Sequence, residues 1–276
     1  MNDSQHLRPL SPQHLDMLWP LWDSEDALHV AASNAIEGNS LTRAETAIVL
    51  NDGTTIGGKT IREHLEAVYG QRAYVLMLKL AKNKTIVTTE VIRDIHHAVV
   101  GNDVDFGGKW RKQAVYIRNS RHVPPNHLKI PYLMDEMIDA YLKSIATEHP
   151  IAVAAKLHLN FVGIHPFVDG NGRTARLLGN LELIRSGFAP ILLDREDRRE
   201  YFSILERCHT AGEPGKGDPK EFIAFIEKFE ENALERYLRA LDVSQGVPFE
   251  QTARQVGLAP RKNVGASPKP GDGYTY

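Results

Sequence analysis

The feature that most constrains this chain is a break between two helical patterns. Ile151 to Val162 is an almost uninterrupted apolar, helix-compatible run, and a second one extends from Thr174 to Ile184. Between them lies His165-Pro166-Phe167-Val168-Asp169-Gly170-Asn171-Gly172-Arg173, with a proline and two glycines, so the segment reads as helix, tight loop, helix. Gly170 and Gly172 let the backbone approach a ligand closely. A helix opening near Gly172 leaves its first N–H groups unpaired at the positive end of its dipole, an arrangement that binds phosphate. Arg173 and Arg176, three residues apart, project from neighbouring positions, and two guanidiniums beside a helix start suit a polyphosphate. Asp169 offers the hard oxygen that magnesium prefers, and His165 can take a proton near neutral pH.

These residues match, at every defined position, the motif His-x-Phe-x-(Asp/Glu)-Gly-Asn-Gly-(Arg/Lys)-x-x-Arg, and the chain resembles the Fic family on that basis. The resemblance runs from about Ser24 to about Leu241. It implies a protein adenylyltransferase that moves AMP from ATP to a Ser, Thr or Tyr hydroxyl of a protein and releases pyrophosphate. In that reading His165 is the base and Asp169 helps to hold Mg2+. Gly170, Asn171 and Gly172 cradle the diphosphate, while Arg173 and Arg176 neutralise the β- and γ-phosphates. Phe167 packs inward and fixes the loop. Relatives that transfer phosphate instead carry lysine where this chain has Gly172, so glycine here favours AMP transfer.

Three further stretches gain meaning from the resemblance. Ser33-x-x-x-Glu37-Gly38 matches an inhibitory motif that precedes the core in some members, with Glu37 pairing with Arg176 and displacing the γ-phosphate. Val115, Tyr116, Ile117, His122 and Val123 form short β-type runs around a polar turn; they read as a small hairpin, the flap that would register a target segment by strand addition. Tyr201, Phe202 and His209 are placed near adenine, although the aromatics alone read equally as core. Two other readings stay open: a hydrolase that removes AMP with Glu37 positioning water, and a non-enzymatic nucleotide-binding regulator.

The remainder is helical in pattern. Ser11-Pro12 opens a short helix, and Thr42-x-x-Glu45 and Thr60-x-x-Glu63 are capping boxes. Asp197-x-x-Glu200 is read as the cap of the helix carrying Tyr201. His96 and His97 are adjacent, so they point apart on a helix and make a poor metal pair; they are assigned to surface or core. The expected fold is all-α, a single helical domain with one hairpin. Its parts are an N-terminal helical extension (1–23), the Fic-like domain (24–241, with the inhibitory helix at 24–38) and a flexible tail (242–276) in which Phe249 to Val256 permits a short helix. Among the 276 residues the net charge is -2, which gives no general case for nucleic acid or an anionic membrane, and Cys208 is the lone cysteine. With no basic start followed by an apolar core, and no apolar run long enough to span a bilayer, a cytoplasmic, soluble protein is expected. Expected partners are a protein target, with ATP as co-substrate. Self-modification and a homodimer are further expectations that no residue compels.

Overall fold

The structure, a computed structural model, describes residues 6–101, 105–118, 120–209 and 217–258. Within them eleven α-helices occur: α1 (Pro12–Ser24), α2 (Asp26–Glu37), α3 (Arg43–Asp52), α4 (Ile61–Lys82), α5 (Thr89–Val99), α6 (Ile130–Ser144), α7 (Pro150–Ile164), α8 (Asn171–Arg185), α9 (Arg198–Cys208), α10 (Lys220–Gln245) and α11 (Phe249–Gln255). Both threonine capping boxes form as the sequence predicts: Thr42 and Thr60 each accept from the glutamate N–H three residues on and have their own N–H taken by that carboxylate.

α7 is apolar around nearly its whole circumference, from Ile151 to Ile164, and therefore lies at the centre. α8 packs antiparallel beside it, with α4 across α8 and α2 against both α4 and α8. The C-terminus of α7 and the N-terminus of α8 thus meet across the 165–170 loop, with α2, α4 and α5 packed against α8. Trp22 is fully buried and Trp19 packs against it edge-on.

Three expectations change. The cap before α9 forms one turn earlier: Asp194 and Asp197 make the reciprocal box around a 3-10 turn at Arg195–Asp197, while Asp197 caps α9 with no side-chain bond. α10 continues to Gln245, past the expected tail boundary at 242, and α11 folds back to bury Thr252, Ala253 and Val256. Residues 259–276 of that tail lie outside the described residues.

The third change is the flap. No strand is present among the described residues. The Ser120 N–H donates to the Ile117 carbonyl at 3.2 Å; Asn119 lies outside the described residues. The donors that follow go to a side chain instead of a facing strand: the Arg121 N–H and the Ser120 hydroxyl each donate to a Glu206 carboxylate oxygen at 2.6 Å. Tyr116 is 86% exposed and Val123 is exposed, whereas Val115 and Ile117 are half-buried. The β-branched run is present, but a pair of such short strands without a third partner is marginal at best.

Candidate active site

α7 ends at His165, which adopts a left-handed conformation (φ 50°, ψ 58°) and returns its N–H to the Phe161 carbonyl at 3.0 Å. For a residue with a Cβ this costs about 1 kcal/mol, so the surroundings must hold it. Arg111 does so: its Nε donates to the His165 carbonyl at 2.9 Å and its own N–H to the Pro166 carbonyl at 2.9 Å. The buried His122 donates from Nε2 to the Gly163 carbonyl at 2.8 Å, and His209 from Nε2 to the Leu159 carbonyl at 3.0 Å. Of the carbonyls that the α7 C-terminus leaves unpaired, that of Gly163 is therefore taken by a side chain, while the Leu159 bond lies one turn back in the helix. His122 thus serves the α7 end rather than a strand, and the His209 ring lies beside it, with centroids 4.6 Å apart.

The loop is fixed from within. Asn171 accepts the Phe167 N–H at 3.0 Å and donates to the Phe167 carbonyl at 2.9 Å. Phe167 is buried and its ring stacks on His96, with centroids 3.5 Å apart. His96 receives the Gly108 N–H on Nδ1 at 2.9 Å, so its proton is on Nε2, which donates to the Asp169 carbonyl at 3.0 Å. Burial holds the His96 pKa down, at about 4, so the ring stays neutral in this role. Gly170 has φ 77°, and a Cβ there would crowd His96, Val99 and Val100, so glycine is required on both counts.

At the opening of α8 the two arginines are buried. Arg173 faces Asp169 Oδ2 at 3.7 Å and Glu66 Oε1 at 3.9 Å. Arg176 turns two of its nitrogens to α2, Nε to the Ser33 hydroxyl at 2.9 Å and Nη2 to the Ser33 carbonyl at 2.9 Å and Glu37 Oε1 at 2.8 Å, while Nη1 is buried without a hydrogen-bond partner. Glu37 Oε1 stands directly over Gly172, where any Cβ would collide with it. Gly38 closes α2 in the left-handed cap. Asp169 keeps a largely exposed carboxylate, 64% of the side chain, with Oδ1 on the Gly170 N–H at 2.7 Å and Oδ2 near Arg62 at 3.2 Å.

His165 is half-buried, and its Nδ1 finds no partner of good geometry. Burial is the main reason that its pKa lies near 4; Arg111 and His122 push the same way, while the Val162 carbonyl and Glu37 oppose. Its imidazole is therefore neutral, and a proton acceptor, at pH 7.

Comparison with known proteins fits this geometry. A model of the Fic/DOC family matches residues 86–183. The solved structure of Fic-1 from Caenorhabditis elegans is 31% identical, with a TM-score of 0.70 over 84% of this chain and 73% of that one. The chain belongs to the Fic/DOC family. A Fic domain containing signaling protein from Bacteroides thetaiotaomicron superposes with a TM-score of 0.73 at 25% identity, over 89% of this chain and 95% of that one. The protein adenylyltransferase Fic of Drosophila erecta is 35% identical over 234 residues, 83% of this chain and 46% of that protein. The chain spans about half the length of the curated relatives it matches. The family match stops at residue 183 and starts after α2, so the helix that carries Glu37 lies outside it.

Of the aromatic candidates near the Fic loop, Tyr201 is 1% exposed. Its hydroxyl meets His158 Nε2 at 2.8 Å, and Phe222 and Phe225 flank its ring. It offers no face for stacking adenine, because position 201 falls on the inner side of α9. Phe202 is 38% exposed, with the Arg198 guanidinium 5.2 Å over its ring and the Tyr201 ring 5.2 Å away. Sequence reasoning did not single out His96 or Glu66 as parts of the site, and read Arg111 only as leading into the flap. Each acts through contacts between segments distant in sequence, and the residues around it form no motif of their own.

Proposed function

We propose that this chain is a protein adenylyltransferase held in a restrained state by Glu37. One observation carries the restraint: all the hydrogen bonds that Arg176 makes to α2, from Ser33 and Glu37, occupy the guanidinium expected to hold a γ-phosphate. The names of the relatives, protein adenylyltransferase Fic and fic-1, support the reaction class.

In this reading the N–H groups of Asn171 and Gly172 at the start of α8 bind the diphosphate oxygens of ATP, and Gly170, whose N–H is held by Asp169 Oδ1 at 2.7 Å, shapes the cradle. Arg173, fixed by Glu66, offsets the charge that builds on the leaving pyrophosphate. His165 accepts the proton of a target Ser, Thr or Tyr hydroxyl as its oxygen bonds to the α-phosphorus and the bond to the β-phosphate bridge breaks. Among the described residues no three His, Cys, Asp or Glu side chains converge on a metal position. A lone exposed carboxylate beside an anion cradle still fits Mg2+, which is held by one or two carboxylates together with phosphate oxygens and adds charge neutralisation there. Asp169 is that carboxylate. Phe202 and His209 are placed at the adenine end, and Val115, Tyr116, Ile117 and Val123 on the target side. A cytoplasmic setting suits the one buried thiol, Cys208. No helix among the described residues is long and apolar enough to cross a membrane.

A hydrolase that removes AMP from protein is the second reading. It is favoured by Glu37 itself: the side chain is 35% exposed and only Oε1 meets Arg176, which leaves Oε2 able to orient a water. The test uses purified protein, Mg2+ and ATP labelled at the α- or the γ-phosphate. Glu37→Gly should incorporate α-label far above wild type, and Glu37→Gly/His165→Ala should lose it. γ-Label on the protein would overturn AMP transfer. Absence of label, with release of AMP from a pre-modified protein by wild type but not Glu37→Gly, would move the assignment to the hydrolase.

A further inference from the structure

The bond from Glu37 to Arg176 holds only while the last turn of α2 keeps its register. That turn ends at Gly38 (φ 99°), whose N–H returns to Ala35, so carbonyls at the helix end face outward and need partners from elsewhere. One short stretch supplies two. Arg198 Nε donates to the Ile36 carbonyl at 2.7 Å, and Arg195 Nη2 donates to the Asn39 carbonyl at 2.8 Å. The two guanidiniums thus bracket Glu37 and Gly38, one on each side.

The clasp is preorganised. Arg195 and Arg198 are three residues apart across the 3-10 turn, a spacing that eclipses side chains on one face. The turn is pinned by Asp194 and Asp197, with the Arg195 N–H on Asp194 Oδ1 at 2.6 Å and the Asp194 N–H on Asp197 Oδ2 at 2.9 Å. The Arg198 guanidinium also rests over the Phe202 ring, 5.2 Å from its centroid. On the opposite side Asn39 is tied to α4, donating to the Glu63 carbonyl at 3.1 Å and to Glu66 Oε2 at 3.0 Å. Positive charge at the negative end of the α2 dipole adds to the hold.

We propose that Arg195 and Arg198 are positioning residues for Glu37: they grip the backbone on either side of it and thereby set how strongly Arg176 is sequestered. The inference rests on the reading of Glu37 as a restraint. Its chemistry is specific to arginine side chains acting on carbonyls; both act through α2, not on the reacting atoms. It also locates a release point, since anything that draws Arg198 off the Ile36 carbonyl frees the helix end without touching Glu37.

The test uses the full chain with Mg2+ and α-labelled ATP, and compares Arg195→Met, Arg198→Met and the double variant in wild-type and Glu37→Gly backgrounds. Met keeps the aliphatic bulk and removes the donors. Loss of one such hydrogen bond should raise self-labelling about fivefold in the wild-type background, and more in the double variant, with no further gain on Glu37→Gly. Amide exchange at residues 33–39 should quicken in the double variant while α8 is unchanged, and Arg198→Lys should restore part of the restraint. Equal stimulation in both backgrounds, or none in either while Glu37→Gly is active, would overturn the clasp. If the double variant melts at a lower temperature, the single variants and the local exchange decide. If even Glu37→Gly takes no label, the adenylyltransferase reading fails instead, and exchange at residues 33–39 alone judges the clasp: no change there rejects it.

Discussion

At the scale of single residues, the site depends on histidines whose protonation is set by burial. A free imidazole titrates near 6.5. His165 is held near 4, mainly by desolvation, so lowering the pH through 6.5 should not protonate it. The labelling rate of Glu37→Gly is therefore expected to lack a His-type inflection between pH 5.5 and 7.5 and to fall only as the pH approaches 4. A rate profile with an inflection near 6.5 would show that His165 is more hydrated than its surroundings imply. His96 illustrates a different dependence. It touches no proposed reacting atom, yet it joins the Gly108 N–H to the Asp169 carbonyl and supports the Phe167 ring. His96→Ala in the Glu37→Gly background should lower the labelling rate about 10- to 100-fold, as misplacement of a positioning group does. The nucleotide KM should change less than kcat. His96→Asn, which can keep one of the two bonds, should recover part of the loss.

At the scale of elements, α2 is a helix that doubles as a ligand for Arg176. Ser33 supplies two of its contacts, one from the hydroxyl and one from the carbonyl, and Glu37 supplies the third. Ser33→Ala deletes only the hydroxyl contact. It should therefore activate, but well below Glu37→Gly, because the charge-assisted pair survives and is roughly twice as strong as a neutral bond. Initial labelling rates of the two variants side by side check the order; a Ser33→Ala rate equal to that of Glu37→Gly would show that the hydroxyl, not the charge, sets the restraint. The same element shows what a sequence makes readable. The helix, its glycine stop and the serine-to-glutamate spacing are local, and they stand out beside the loop motif from His165 to Arg176. The partners that hold α2 are not local. Arg195 and Arg198 sit in an ordinary charged run, and only the packing of the 3-10 turn against Gly38 gives them a role. The flap shows the limit from the other side. Its β-branched run reads as a strand pair, but Glu206 claims the Arg121 N–H that a ladder would need, which no local pattern announces.

At the scale of the molecule, one core is shared by nearly every helix, and two buried glutamates in it differ in how they are satisfied. Glu182 accepts from Arg185 at 2.6 Å, from the Tyr141 hydroxyl at 2.5 Å and from the Ser186 hydroxyl at 2.9 Å, so its charge is compensated. Glu230 is fully buried and accepts one bond, from the Ala189 N–H at 2.8 Å, while Oε2 has no partner. Burial drives its pKa up to about 8. Above pH 4.5 the unfolded chain releases this proton and the folded chain keeps it, so the unfolded state binds fewer protons and stability declines as pH rises. The loss is about 1.4 kcal/mol for each pH unit between 4.5 and 8, and it levels off once the folded carboxyl also ionises. Glu230→Gln retains an acceptor for Ala189 and removes the titration. It should leave the melting temperature nearly unchanged at pH 4.5 and raise it at pH 7, by about 2–4 °C for each kcal/mol recovered in a protein of this size. Melting curves of both proteins at the two pH values check this. A Glu230→Gln shift of the same size at both would mean that the carboxyl titrates alike in the folded and unfolded chain. The site corner should respond little to this change, because the α10 segment carrying Glu230 supports the chain after α8 rather than the loop that opens it.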